Sequence, residues 1–215
     1  VSHELKTPLT SISGYAEILS NGVARPEDAP RFAKKIYDDA QRLIALINDI
    51  MMLSKLDEGA GELQTERVDL RAPVQKAAER IGGAAAARNI SVDFDCENAE
   101  INGIPHILDE MVFNLLDNAV KYNIDGGSIK ITIRKKTNTA ELTVTDTGIG
   151  IPEMDKERIF ERFYRTEKSR GKKIDGTGLG LSIVKHGAAL HNAKIEARVE
   201  GKSGTTFVLI FPAAE

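Results

Sequence analysis

The chain has 215 residues and a net charge of −3, with 41% hydrophobic and 28% charged side chains. That balance suits one large or two modest globular domains, excludes a disordered chain, and supplies no basic surface for nucleic acid. Cys96 is the sole cysteine in the sequence, which excludes an internal disulfide and a cysteine metal site and fits a reducing compartment.

No apolar run reaches the roughly 18 residues of a membrane span, and no signal peptide opens the chain. The sequence starts at Val1 inside a helical pattern, without an initiator Met or a cap. It reads as a piece of a longer protein, with any membrane contact expected only through a missing upstream segment.

The opening stretch Val1-Ser2-His3-Glu4-Leu5-Lys6-Thr7-Pro8-Leu9-Thr10 predicts an amphipathic helix. His3 and Thr7 are four apart and share a face, and Glu4 can reach the imidazole of His3. A histidine is a good nucleophile when one ring nitrogen is unprotonated and the other N–H has an acceptor, a role that suits Glu4. Pro8 cannot donate to the carbonyl of Glu4, so a bend is expected just past the histidine.

Ile12, Tyr15, Ile18 and Leu19 continue the helical spacing to the turn signal Asn21-Gly22. A second helix is predicted from Ala29-Pro30, with the stripe Phe32, Ile36, Leu43, Ile47, Ile50, Leu53 and Leu56. Two helices with a short connection make an antiparallel hairpin, which buries too little alone. Pairing two hairpins as a four-helix bundle remedies that and predicts a homodimer.

Residues 1–58 form this first domain and 59–66 a linker, since Glu58-Gly59-Ala60-Gly61-Glu62 breaks the pattern. In the second domain, 67–215, a short strand is predicted at 68–70, an Ala-rich helix at 71–88 and strands at 90–94 and near Ile101-Gly103. A helix follows at 105–121, then strands at 128–135 and 140–145 turning at Thr137-Asn138-Thr139. The chain closes with a helix at 179–191 and a hairpin of 194–200 with 205–211. Strands and helices come in runs, which predicts an α+β sandwich with helices on one face of a mixed, mainly antiparallel sheet.

Three segments of this domain share a theme. Asn114 and Asn118 lie on one helical face at i and i+4, with Lys121 and Tyr122 just beyond. Amide oxygens with a lysine suit a magnesium-phosphate group, and asparagine is a poor helix former that needs a reason inside an apolar stripe. Asp146-Thr147-Gly148-Ile149-Gly150 ends a strand with a carboxylate able to accept an adenine amino proton, and its glycines allow close backbone approach. Gly176-Thr177-Gly178-Leu179-Gly180-Leu181 precedes a helix whose first amides form a phosphate cradle. The glycine spacing differs from the dinucleotide fingerprint, and Glu196 stands where a Walker loop ending at Gly201-Lys202-Ser203 needs its first glycine.

These segments, in this order, resemble the N, G1 and G2 boxes of the Bergerat-type (GHKL) ATP fold shared by histidine kinases, gyrase, Hsp90 and MutL. Ile159-Phe160-Glu161-Arg162-Phe163-Tyr164-Arg165 resembles the histidine-kinase F-box. The His3-Glu4 stretch resembles the H-box of sensor histidine kinases, so the resemblance covers essentially the whole chain.

The resemblance implies a helical hairpin followed by a Bergerat-type α+β sandwich, with ATP and Mg²⁺ as ligands. It implies that His3 accepts the phosphoryl group, Glu4 is its base, and Thr7 positions water for dephosphorylating a partner. Asn118, helped by Asn114, would bind Mg²⁺. Lys121 and Tyr122 would contact phosphate and nucleotide, Asp146 adenine, and Arg165 the γ-phosphate. Gly148 and Gly150 would shape the pocket floor, and Thr177, Gly178, Leu179, Gly180 and Leu181 would hold the phosphates beneath a lid at 166–175.

The implied partner is the receiver domain of a response regulator, phosphorylated on aspartate, and the implied setting is the cytoplasmic part of a membrane-anchored bacterial sensor. Two departures from the family pattern stand out: Asn123 where Ser or Thr is usual, and Asn192-Ala193 in place of Gly-Gly. Neither removes an implied catalytic group, and Asn tolerates positive φ. A gyrase-like ATPase would carry a glutamate base where this chain has Asn114, which argues against activation of water, and a non-catalytic ATP-binding scaffold is the other alternative.

Overall fold

The computed structural model describes residues 2–57, 64–166, 176–199 and 203–214, with the side chains of Ser2 and His3 left outside that description. The expected lid, past Thr166, and most of the expected linker lie outside the described residues. The chain divides into two compact units, Val1–Met52 and Leu53–Glu215.

The first unit is a helical hairpin of α1 (Ser2–Ser20), with Pro8 inside it, and α2 (Ala29–Asp57). Gly22 has φ +65° at the turn after α1, a conformation that costs glycine nothing. The rings of Tyr15 and Phe32 lie 5.2 Å apart across the hairpin. Ser11 donates to the buried Asp39 at 2.6 Å, and Lys35 reaches the same carboxylate at 2.9 Å. Leu9, Ile18, Tyr37, Ile44, Ile47 and Met51 are exposed. Leu53 and Leu56, in the last turn of α2, group with the second unit and are buried.

The second unit holds β1 (Glu66–Asp69), α3 (Arg71–Ala87), β2 (Ser91–Cys96), β3 (Glu100–Gly103) and α4 (Pro105–Lys121). It continues with β4 (Ser128–Lys135), β5 (Thr139–Asp146), α5 (Gly180–Leu190), β6 (Lys194–Arg198) and β7 (Thr205–Pro212). The main sheet has the order β2-β4-β5-β7-β6, parallel at β2-β4 and antiparallel elsewhere, while β1 and β3 form a separate antiparallel pair. This is the mixed, mainly antiparallel sheet that the sequence predicts.

Alternation decides which face is covered. Ile129, Ile131 and Ile133 of β4 and Ala140, Leu142 and Val144 of β5 are buried, and α3, α4 and α5 pack over the sheet. The stripe of α4, from Ile107 through Leu116, is buried against it. Two differences from the sequence reading are local. Thr139 belongs to β5, because Lys136 N–H donates to its carbonyl at 2.8 Å and closes a tighter turn. The expected loop after Asp146 contains two 3₁₀ turns, Glu153–Asp155 and Arg158–Phe160, too short to leave a periodic signal.

Candidate active site

The start of α4 is held from α5. Ile104 offers no side-chain cap to that helix, and its backbone N–H donates to Nε2 of His191 at 2.9 Å. Nδ1 of His191 donates to the carbonyl of Gly187 at 2.7 Å. Burial pushes the histidine pKa down, so the neutral ring keeps one acceptor and one donor, each matched. Gly103 belongs here too, since a Cβ on it would stand 2.7 Å from Leu108 Cδ1 and 3.0 Å from His191 Cδ2.

Along α4, Asn114 and Asn118 are half-buried, and Asn114 Nδ2 donates to the carbonyl of Glu110 at 2.8 Å. That bond leaves the Oδ1 of Asn114 directed at the start of α5. A Cβ on Gly180 would lie 2.5 Å from that oxygen. Glycine at 180 therefore keeps the space in which an amide oxygen can serve a ligand. Lys121 pairs with Asp117 one turn back at 2.6 Å. Burial raises the pKa of the Tyr122 phenol, against the opposing charges of Arg165 and Lys121, so it stays a neutral hydroxyl near both cations.

Asp146 closes β5 and is only 5% exposed. Burial pushes its carboxyl up to about 6, against the pull of the Gly148 and Thr205 amides, with Gly148 N–H donating to Oδ1 at 2.8 Å. The turn after it is pinned to the end of α4, where Ile149 N–H donates to the carbonyl of Tyr122 at 3.0 Å. A Cβ on Gly148 would collide with that carbonyl.

The glycine-rich segment enters α5 next to these groups. Gly178 has φ +73°, and a Cβ there would meet the backbone carbon of Phe163 at 2.9 Å. Phe163 itself sits at φ +64°, unusual for a bulky side chain, with its N–H donating to the Gly178 carbonyl at 2.9 Å. Leu179 N–H donates to the Thr177 hydroxyl at 3.2 Å, and Leu179 is buried while Leu181 is half-buried. An amide oxygen of α4 thus faces a Cβ-free helix start, and the turn after a buried carboxylate is pinned to the end of the same helix. This donor set fits a magnesium nucleotide: oxygen ligands for a hard cation, backbone N–H groups for phosphate and one acceptor for an amino group.

Residues 103–215 match the family of histidine kinase-, DNA gyrase B-, and HSP90-like ATPases, and residues 1–59 match the His Kinase A (phospho-acceptor) domain. The chain belongs to the sensor histidine kinase family. It is 40% identical over 214 residues to the sensor-like histidine kinase SenX3 of Mycolicibacterium smegmatis, covering 99% of this chain and 56% of that protein. The solved structure of the Acinetobacter baumannii histidine kinase AdeS shares the fold, with a TM-score of 0.81 at 22% identity over 99% of this chain and 98% of that one. Full-length ShkA in complex with AMPPNP has a TM-score of 0.74 at 27% identity, covering 99% of this chain and 44% of ShkA. The chain spans about half the length of the curated relatives it matches.

In this sensor histidine kinase, the residues expected at the nucleotide all fall in the second unit, with Arg165 close enough for its charge to act on Tyr122. His3, Glu4 and Thr7 lie on α1 of the first unit, where Glu4 and Thr7 are exposed and the His3 side chain is outside the description. Gly204, Asp117 and Arg88 escape sequence reasoning. A Cβ on Gly204 would be 2.5 Å from the Asp146 carbonyl, and its N–H donates to the Gly148 carbonyl at 2.8 Å. Its signal in the sequence is a single glycine before a strand, which reads as an ordinary turn. Asn192, noted as a departure, adopts φ +53°, so asparagine does hold the turn that glycine usually makes.

Proposed function

We propose that this chain transfers the γ-phosphoryl group of ATP to His3 and passes it on to an aspartate in the receiver domain of a response regulator. The observation that carries the nucleotide half is that α4 borders both the Cβ-free start of α5, at Asn114, and the turn that follows the buried Asp146, at Tyr122. Support for the acceptor half comes from the phospho-acceptor domain match, which spans His3. ShkA, whose fold this chain shares, was solved with AMPPNP.

Each residue then has a role. Asp146 accepts a hydrogen bond from the adenine amino group, while Gly148 and Gly150 let the base approach the backbone. Thr177, Gly178, Leu179, Gly180 and Leu181 present backbone groups and the start of α5 to the phosphates. Asn118, with Asn114, holds Mg²⁺, and Lys121, Tyr122 and Arg165 face the phosphate chain. Bound Mg²⁺ neutralises phosphate charge and orients the leaving group. A ring nitrogen of His3 attacks the γ-phosphorus, the N–P bond forms as the bond to the ADP oxygen breaks, and the proton on the other ring nitrogen is shared with Glu4. Thr7 orients the water that dephosphorylates the regulator.

Two copies pair through the hairpin, whose exposed apolar residues Leu9, Ile44, Ile47 and Met51 suit a four-helix bundle. Among the described residues no helix is long and apolar enough to cross a membrane. The remaining length of the relatives leaves room for a sensor and an anchor, which would make this the cytoplasmic portion of a bacterial membrane protein.

The test is incubation with Mg²⁺ and γ-labelled ATP, comparing the parent with His3→Gln and Asn118→Ala. Acid-labile, base-stable label in the parent alone is the expected result. ATP binding without any label in the parent would sink the kinase reading and leave an ATP-dependent scaffold.

A further inference from the structure

The end of α4, which carries Lys121 and Tyr122, is held by a residue of another helix. The last carbonyls of an α-helix have no partner within it. Arg88, the residue that follows α3, serves the last two. Its Nη1 donates to the carbonyls of Val120 and Lys121, and its Nη2 reaches past the helix to the carbonyl of Asn123 at 2.8 Å. Nε pairs with Asp125 at 2.8 Å, and the Arg88 carbonyl accepts from Gly126 N–H at 2.9 Å. Carbonyls in several directions require a planar fork of donors, which lysine lacks.

Asn123 continues the connection on its other side. It is buried, and its Oδ1 accepts from Ile124 N–H at 2.9 Å and from the Thr147 hydroxyl at 3.1 Å. Its Nδ2 donates to the Ser128 carbonyl at 3.2 Å, while Ser128 N–H donates to Thr147 Oγ1 at 2.8 Å. Thr147 stands between Asp146 and Gly148. A continuous chain of hydrogen bonds therefore runs from the end of α3, through the end of α4, to the turn that aims Asp146. A residue that merely capped α4 would need none of the contacts beyond Lys121.

We propose that Arg88 and Asn123 are positioning residues for the nucleotide, fixing the spacing between Asp146 at the base end and Lys121 and Tyr122 at the phosphate end. The segment that matches the ATPase family starts at residue 103, so Arg88 lies outside it. The proposal rests on the nucleotide reading above. Arg88 and Asn123 spend their side-chain hydrogen bonds on the protein itself, so disturbing them should change how tightly and how selectively the base is held more than how fast the bound complex reacts.

The test uses the full chain with Mg²⁺. Calorimetry measures ATP and GTP affinity for the parent, Arg88→Lys, Thr147→Val, Thr147→Ser and the Arg88→Lys/Thr147→Val pair. Labelling of His3 at saturating ATP and the thermal midpoint are followed alongside. Arg88→Lys and Thr147→Val should each weaken ATP binding about tenfold. They should also lower the preference for ATP over GTP, with the labelling rate at saturation within about twofold of the parent. Thr147→Ser, which keeps the hydroxyl, should restore parent affinity, and the double variant should lose less than the sum of the singles because both break one network. Parent-like affinity and base preference in Arg88→Lys and Thr147→Val, whatever their thermal midpoints, would overturn the proposal. Should Arg88→Lys fail to fold, the near-isosteric pair Thr147→Val and Thr147→Ser decides. A parent that binds no ATP would instead overturn the nucleotide reading, and this proposal with it.

Discussion

The two units bury their aspartates to opposite effect. In the hairpin, burial would raise the pKa of Asp39, but the Ser11 hydroxyl and Lys35 outweigh it and hold the carboxylate below its ordinary range. In the second unit, Asp146 has amide donors and, among the described residues, no cation acting on it, and burial wins, to about 6. Asp39 is a satisfied structural charge tying α1 to α2, whereas Asp146 retains acceptor capacity for a ligand. The same contrast runs through the packing. Within residues 4–52 of the hairpin only Pro8, Asp39 and Leu46 are buried, and Leu9 and Met51 are more than half exposed. The second unit has a full layer of buried side chains between sheet and helices. One region buries a core of its own, and the other leaves apolar residues exposed.

The largest expected effect separates chemistry from binding: His3→Gln should abolish phosphoryl labelling while ATP affinity stays at the parent value, and a matching drop in affinity would break the division of roles between the units. Next comes packing. Leu116→Ala, in the fully buried stripe of α4, should cost about 2–5 kcal/mol in denaturant unfolding. Ile47→Ala on the hairpin should cost the monomer fold little and instead shift the monomer–dimer balance seen by sedimentation. Equal losses from both would show that the hairpin has a core of its own.

The buried acid gives a pH test. Between about 4 and 6 the folded chain holds a proton on Asp146 that the unfolded chain has released, so stability should fall as pH rises through that window, by up to about 3 kcal/mol. ATP affinity should move the other way, weakening below about pH 6 as the acceptor is protonated. Asp146→Asn should flatten the stability slope, and an unchanged slope would place the titration elsewhere.

His191 has the opposite sign. Its folded pKa is depressed by burial, so its contribution is complete above the unfolded value of about 6.5 and is lost as pH falls from there toward the folded value. His191→Phe should remove that dependence and cost about 1–3 kcal/mol by leaving Ile104 N–H unpaired. The smallest effect belongs to the exposed Lys34–Asp38 pair on α2, where Lys34→Ala should change stability by no more than about 0.5 kcal/mol.

Periodicity and punctuation in the sequence determine the helical hairpin, the order of strands and helices and the mixed character of the sheet, because side-chain spacing of 3.6 or 2 is a local property. The sequence also offers Asn114, Asn118, Asp146 and the glycines at 176–180 as a candidate nucleotide set, since a ligand would explain amides in an apolar stripe and glycines before a helix. Tertiary structure alone decides what these groups touch. That Gly180 makes room for Asn114, that Gly148 yields to the Tyr122 carbonyl, and that His191 holds the start of α4 are contacts between residues far apart in the chain. Arg88 shows the limit most plainly. An arginine after an Ala-rich helix looks like any solvated charge, and its part in the site exists because folding brings it to carbonyls more than thirty residues away.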